Sequence, residues 1–119
     1  MRYLMKPFQL LYVIYAFAVF LALMIPVFLW ALLASQFGRI RGGNLVYYGC
    51  MVWADLWFAL VFIWHRNIYV QKPKKDEAYI FVANHISYLD AAVLPKVFRH
   101  PVRPLGKVEM AKIPLFGTI

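Results

Sequence analysis

The sequence predicts an α/β protein carried on a membrane helical hairpin: residues 1–66 form the anchoring hairpin and residues 67–119 the start of an α/β domain. Three observations predict it. Apolar residues make up 64% of the chain and aromatic residues 18%, against roughly 45–50% apolar in soluble domains. The charges are unevenly placed. Residues 1–64 hold only Arg2, Lys6, Arg39, Arg41 and Asp55, whereas the remaining 55 hold thirteen charged side chains. Beyond that boundary, near His65, the pattern reads strand, helix, strand, the order of an α/β domain with helices packed on a sheet.

The first element runs from Leu10 to Ala34 as LLYVIYAFAVFLALMIPVFLWALLA, with no charge. A bilayer core of about 30 Å needs about 20 apolar residues as helix, so this run is long enough to span. Pro26 is expected to kink it, which membrane helices tolerate. Tyr12, Tyr15 and Trp30 lie toward its ends, as interfacial aromatics do. A cleaved signal peptide, whose apolar region runs about 7–15 residues, is shorter. The link Ser35–Asn44 (SQFGRIRGGN) has three glycines and reads as a turn.

The second element is Leu45–Trp64, LVYYGCMVWADLWFALVFIW, long enough to span but with Asp55 in its middle. A carboxylate at the centre of a membrane helix costs about 2.5–3.5 kcal/mol. No opposite charge lies within a helical turn or two of it. Asp55 is therefore expected to face the first helix or the headgroup layer, in a segment that is re-entrant or interfacial. An intramembrane functional acid is the other reading. Arg2 and Lys6 before the hairpin, and Arg66, Lys72, Lys74 and Lys75 after it, outnumber Arg39 and Arg41 in the link. That bias places both termini in the cytoplasm.

Past the hairpin, Asn67–Val70 reads as a short strand. Ala78–Ala83 (AYIFVA) has the length and flanks of a buried one. A helix is expected from about Leu89 to Phe98, then a strand near Val102–Leu105. The net charge of +8 lacks the zinc-finger spacing, basic helix or aromatic signature of a nucleic-acid binder. Anionic lipid headgroups, attracted at about 1 kcal/mol per basic residue near a membrane, fit it better. The single cysteine, Cys50, excludes an internal disulfide and reads as a small hydrophobe. His65, His85 and His100 are too scattered to suggest a metal site.

Chemistry concentrates in Ala83-Asn84-His85-Ile86-Ser87-Tyr88-Leu89-Asp90. Histidine takes up and returns a proton near neutral pH. A carboxylate on its far nitrogen would fix the tautomer and stabilise the charged ring. Five residues apart on one helix, the two side chains would lie about 140° apart and not meet. They meet if His85 occupies the strand-to-helix loop and Asp90 the first helical turn. Ser87 followed by Asp90 supports that start, reading as a capping box with Asp in place of the usual Glu or Gln. From the spacing alone, a catalytic pair and a loop histidine beside a capping aspartate both remain open.

Downstream lies Gly106-Lys107-Val108-Glu109-Met110-Ala111-Lys112-Ile113-Pro114-Leu115-Phe116-Gly117. Together, N-H-x-S-x-x-D after an apolar strand and G-K-x-E-x-x-x-I-P-x-x-G resemble the first two sequence blocks of the 1-acylglycerol-3-phosphate acyltransferase family. The resemblance covers about residues 78–119. The apolar hairpin is similar to the membrane anchors of many members.

The resemblance implies transfer of a fatty acyl group from acyl-CoA or acyl-carrier protein to lysophosphatidic acid, giving phosphatidic acid, with no cofactor beyond the thioester donor. It implies His85 as general base, Asp90 as its orienting partner, and the second block as part of the acceptor site. Lys107 is then a phosphate contact or a solvated surface lysine, Gly106 a point of close backbone approach, and Arg103 a second phosphate candidate. Glu109 and Pro114 read as structural. The family pattern continues with an E-G-T-R block associated with phosphate binding, and nothing like it is present. The chain is therefore expected to be a fragment, inactive alone, whose later part folds poorly for want of neighbouring strands. Two other readings stand beside this one. One is an acyltransferase with a different acceptor, such as glycerol-3-phosphate. The other is a small two-helix membrane protein whose basic cytoplasmic tail makes it a non-catalytic assembly subunit.

Overall fold

A computed structural model describes residues 5–74, 77–84, 87 and 89–103. Three helices form in chain order: α1 (Met5–Ser35), α2 (Arg39–Leu60) and α3 (Asp90–Val97). α1 is apolar all round, and its large side chains from Phe8 to Leu33 mostly point away from the protein. A helix hydrophobic on every face belongs in a core or in lipid. Among the described residues, α1 alone is long and apolar enough to cross a bilayer, although a signal sequence passes the same test.

α1 and α2 pack antiparallel, and four aromatic side chains stitch them together. The Tyr12 and Tyr15 hydroxyls donate to the Val61 and Leu60 carbonyls at 2.8 and 2.9 Å. The Trp57 indole donates to the Ala16 carbonyl at 2.9 Å and the Trp30 indole to the Leu45 carbonyl at 2.8 Å. The two tyrosines thereby satisfy carbonyls at the end of α2 that have no intrahelical partner. α2 ends in a Schellman turn: the Ile63 N–H reaches the Phe58 carbonyl at 3.0 Å and the Phe62 N–H the Ala59 carbonyl at 3.2 Å. Phe62 holds the left-handed conformation, φ 59°, that glycine usually occupies there.

The expected ten-residue turn is shorter than its glycines suggested. Only residues 36–38 lie between the helices, and α2 begins at Arg39 rather than Leu45. Gly38, at φ 84° and ψ 171°, occupies backbone space essentially reserved for glycine. Gly42 and Gly49 instead lie two turns apart on one face of α2, where they let the helices approach. A Cβ on Gly42 would press into the Ala34 carbonyl oxygen, and one on Gly49 would lie 2.6 Å from the Trp30 ring. Because a backbone carbonyl cannot swing aside, Gly42→Ala is expected to destabilise the hairpin by about 1–3 kcal/mol. Thermal unfolding followed by circular dichroism in detergent micelles checks this.

The core is centred on α2. Trp53, Ala54, Trp57, Phe58 and Val61 are buried there with Ala92 of α3. Ala16, Val19, Phe20, Leu23, Met24 and Val27 close it from the α1 side. Phe20 meets Trp53 and Trp57 edge-on, with ring centroids 4.9 and 5.9 Å away. α2 is thus the middle layer, covered by α1 on one side and by α3 on the other.

No α/β domain forms among the described residues, which correct the expected fold class: they contain three helices and no strand. Asn67–Val70 is irregular because Asn67 and Tyr69 turn their side chains onto α3 instead of pairing their backbones. Ala78–Ala83 keeps a strand's alternation without its pairing. Ile80 and Val82 are 91% and 93% exposed, while Tyr79 and Phe81 are 43% and 42% exposed. A strand exists through hydrogen bonds to a neighbour, and no described segment offers this one a backbone ladder. Val102 and Arg103 are likewise irregular, and the rest of that expected strand lies outside the described residues.

Candidate active site

α3 carries the carboxylate of the first motif, and local chemistry explains where it starts. The Asp90 carboxylate Oδ2 accepts the Ser87 N–H at 2.9 Å, and the Ser87 hydroxyl oxygen accepts the Leu89 N–H at 3.2 Å. The Asp90 N–H donates to the Ser87 carbonyl at 3.1 Å. Ser87 and Asp90 thus exchange side-chain and backbone bonds in the manner of a capping box, except that the Ser87 hydroxyl takes the Leu89 N–H, one residue before the usual position. It places Asp90 in the first turn of α3, half-buried, with one carboxylate oxygen against the backbone of a residue two positions from His85.

The other end of α3 is gripped at three successive carbonyls. Asn67 Nδ2 donates to the Lys96 carbonyl at 2.7 Å, the Tyr69 hydroxyl to that of Val97 at 2.8 Å, and the Tyr47 hydroxyl to that of Phe98 at 2.7 Å. These are groups that a helix C-terminus leaves without intrahelical donors. Asn67 Oδ1 is buried and accepts no hydrogen bond from the described residues. Phe81 lies against Phe98, ring centroids 4.4 Å apart, tying the segment before the motif to the end of the helix after it. Ahead of that segment, Lys74 and the Tyr79 hydroxyl both engage Glu77, at 3.0 and 2.6 Å. Tyr79 and then Lys74 hold the Glu77 carboxyl below its ordinary range.

The last turn of α3 and the residues just past it carry two cations that answer Asp55. Lys96 Nζ lies 2.9 Å from Asp55 Oδ1, while Arg99 reaches both carboxylate oxygens, with Nη1 3.2 Å from Oδ1 and Nη2 3.0 Å from Oδ2. The two-pronged arginine contact is the strong, directional form of the pair. Lys96 further lies 5.3 Å from the centre of the Phe58 ring. Asp55 therefore faces Lys96 and Arg99, not α1, which was one of the two surroundings expected from the sequence.

Arg103 is drawn to the opposite end of the hairpin. Its Nη2 donates to the Asn44 side-chain oxygen at 2.7 Å and to the Ile40 carbonyl at 3.2 Å, over Gly43, where a Cβ would lie 2.9 Å from it. A phosphate role for Arg103 has to coexist with these contacts. Of the other expected site residues, His85, Gly106 and Lys107 lie outside the described residues.

Residues 63–119 match the acyltransferase family model. The matched stretch starts at the end of the hairpin and includes α3, its cap and both motif blocks, and it supports a general acyltransferase. No curated protein and no solved structure matches the chain.

Proposed function

We propose that this acyltransferase segment moves a fatty acyl group from the thioester of acyl-CoA or acyl-carrier protein to the free hydroxyl of lysophosphatidic acid, forming phosphatidic acid at a membrane. The observation that carries the proposal is the first turn of α3. Asp90 is anchored there by its bond to the Ser87 backbone, and His85 precedes Ser87 by two residues in the sequence. The acyltransferase match over the same residues supports it, as do the two motif blocks.

In this reading His85 takes the proton from the acceptor hydroxyl as its oxygen attacks the thioester carbonyl. The tetrahedral intermediate collapses by breaking the carbon–sulfur bond, and the departing thiolate takes the proton from the imidazolium. The products are a glycerol ester and a free thiol, and no acyl-enzyme forms. Asp90 orients the ring and stabilises its charged form. Gly106 and Lys107 of the second block receive the acceptor phosphate, with Lys107 acting as a point charge. Arg103 Nη2 already serves Asn44 and Ile40, so that contact falls first to Lys107. Residues 1–66 serve as the anchor and residues 67–119 as the reacting part, on the cytoplasmic face where the basic flanks of the hairpin belong.

The test is acyl transfer by the full-length protein in phospholipid vesicles, with radiolabelled acyl-CoA or acyl-carrier protein and either lysophosphatidic acid or glycerol-3-phosphate as acceptor. Labelled phosphatidic acid formed from lysophosphatidic acid is the expected product. Transfer to glycerol-3-phosphate alone, or to neither acceptor, would overturn the assignment.

A further inference from the structure

Asp55 is a charge in an apolar helix, and its site is built from elements far apart in the sequence. Its side chain is 42% exposed and those of Lys96 and Arg99 are 20% and 48% exposed. Solvent therefore screens the attraction, and an isolated surface pair would contribute little. The geometry is not that of an isolated pair. Two cations from the last turn of α3 and the residues just past it converge on one carboxylate, and Arg99 approaches both of its oxygens. One turn further along α2, Phe58 lies in the core beneath the Lys96 ammonium. Among the described residues, α3 is otherwise held by the buried Ala92 and Pro95, the half-buried Val93, and neutral hydrogen bonds to its terminal carbonyls. An eight-residue helix is too short to be stable by itself, so its placement depends on what it docks against.

We infer that Asp55 is a positioning residue: by drawing Lys96 and Arg99 onto α2, it fixes the angle of α3 on the membrane hairpin and thereby the location of Asp90 at the helix's other end. This rests on the acyltransferase reading, because a located Asp90 matters only if it serves His85. The membrane anchor is then part of the active-site scaffold as well as a tether. A displacement of about 1 Å at a reacting centre can cost on the order of a hundredfold in rate. Asp55→Asn, which keeps the shape and removes the charge, should accordingly lower kcat by roughly tenfold or more with KM within about twofold.

Two readouts in vesicles test this. The first is kcat and KM per folded, monodisperse molecule for the wild type, Asp55→Asn, Asp55→Glu and the control Glu77→Gln. Asp55→Glu should recover most of the rate and Glu77→Gln should match the wild type. The second is the distance distribution between spin labels at Leu89 and Phe37, both exposed, in a Cys50→Ala background. It should be narrow with Asp55 and broadened or shifted with Asn. A lower yield of folded protein with unchanged kcat and distances would make Asp55 merely structural and overturn the inference. So would a broadened distribution with unchanged kcat. If the wild type transfers no acyl group, the acyltransferase reading fails by itself. The distance distribution then decides whether Asp55 positions α3 on the hairpin: broadening sustains that role and an unchanged distribution removes it.

Discussion

His85→Ala is expected to reduce phosphatidic acid formation by roughly 10²–10⁴, the range that a positioned general base supplies. The acceptor hydroxyl has a pKa far above neutrality, so without a base its attack on the thioester needs proton loss to water. Membrane association should be unchanged, because it rests on the long apolar surface of α1. Sedimentation with vesicles measures the association, and initial rates at saturating donor and acceptor measure the chemistry. Wild-type turnover in the variant would remove His85 from the mechanism. Loss of turnover together with loss of membrane binding would mark a folding defect instead.

Asp90→Asn separates two roles of one side chain, the cap that is observed and the orientation of His85 that is proposed. As a cap, Asp90 accepts the Ser87 N–H through Oδ2, and an asparagine oxygen can accept the same bond. The stability cost should therefore stay below about 1 kcal/mol, since Asn and Asp cap helices about equally well. As the partner of a catalytic histidine, Asp90 supplies a negative charge that asparagine lacks. Loss of such a carboxylate leaves the ring in the wrong tautomer, and a rate loss on the order of 10²–10⁴ is expected. Unfolding curves and rates measured on the same preparations distinguish the two. A large rate loss with a nearly unchanged unfolding midpoint supports orientation of the base. A shifted midpoint with near wild-type kcat would reduce Asp90 to a cap.

The features legible in the sequence were those encoded locally. A charge-free run from Leu10 to Ala34 has few structural options besides a long apolar helix, and α1 follows it closely. The Ser87–Asp90 cap was readable because its partners lie three residues apart, and α3 begins where that signal puts it. Features that depend on distant partners were not readable. Gly42 and Gly43 read as turn formers, but a glycine that admits a neighbouring helix has the same local signature as one that breaks a helix. Ala78–Ala83 has the composition of a buried strand, yet burial and pairing come from neighbours, and among the described residues it has no paired strand. Asp55 has no opposite charge within two turns of its own helix, and its partners Lys96 and Arg99 lie 41 and 44 residues away. Two basic residues three apart at the end of a predicted helix, set against one acid in an apolar helix, were the available signal. For the site itself, the sequence supplied the residue types and their spacing, and the structure adds where Asp90 and Arg103 are held.

Acyl transfer in this proposal requires His85 and Asp90 to meet at the start of α3, and a structure of the protein in a lipid environment with lysophosphatidic acid bound measures that directly. The predicted result is a His85 ring nitrogen about 2.6–3.2 Å from an Asp90 carboxylate oxygen, with the opposite ring nitrogen facing the acceptor hydroxyl. An imidazole turned away from Asp90, with the lipid hydroxyl bound elsewhere, would contradict it.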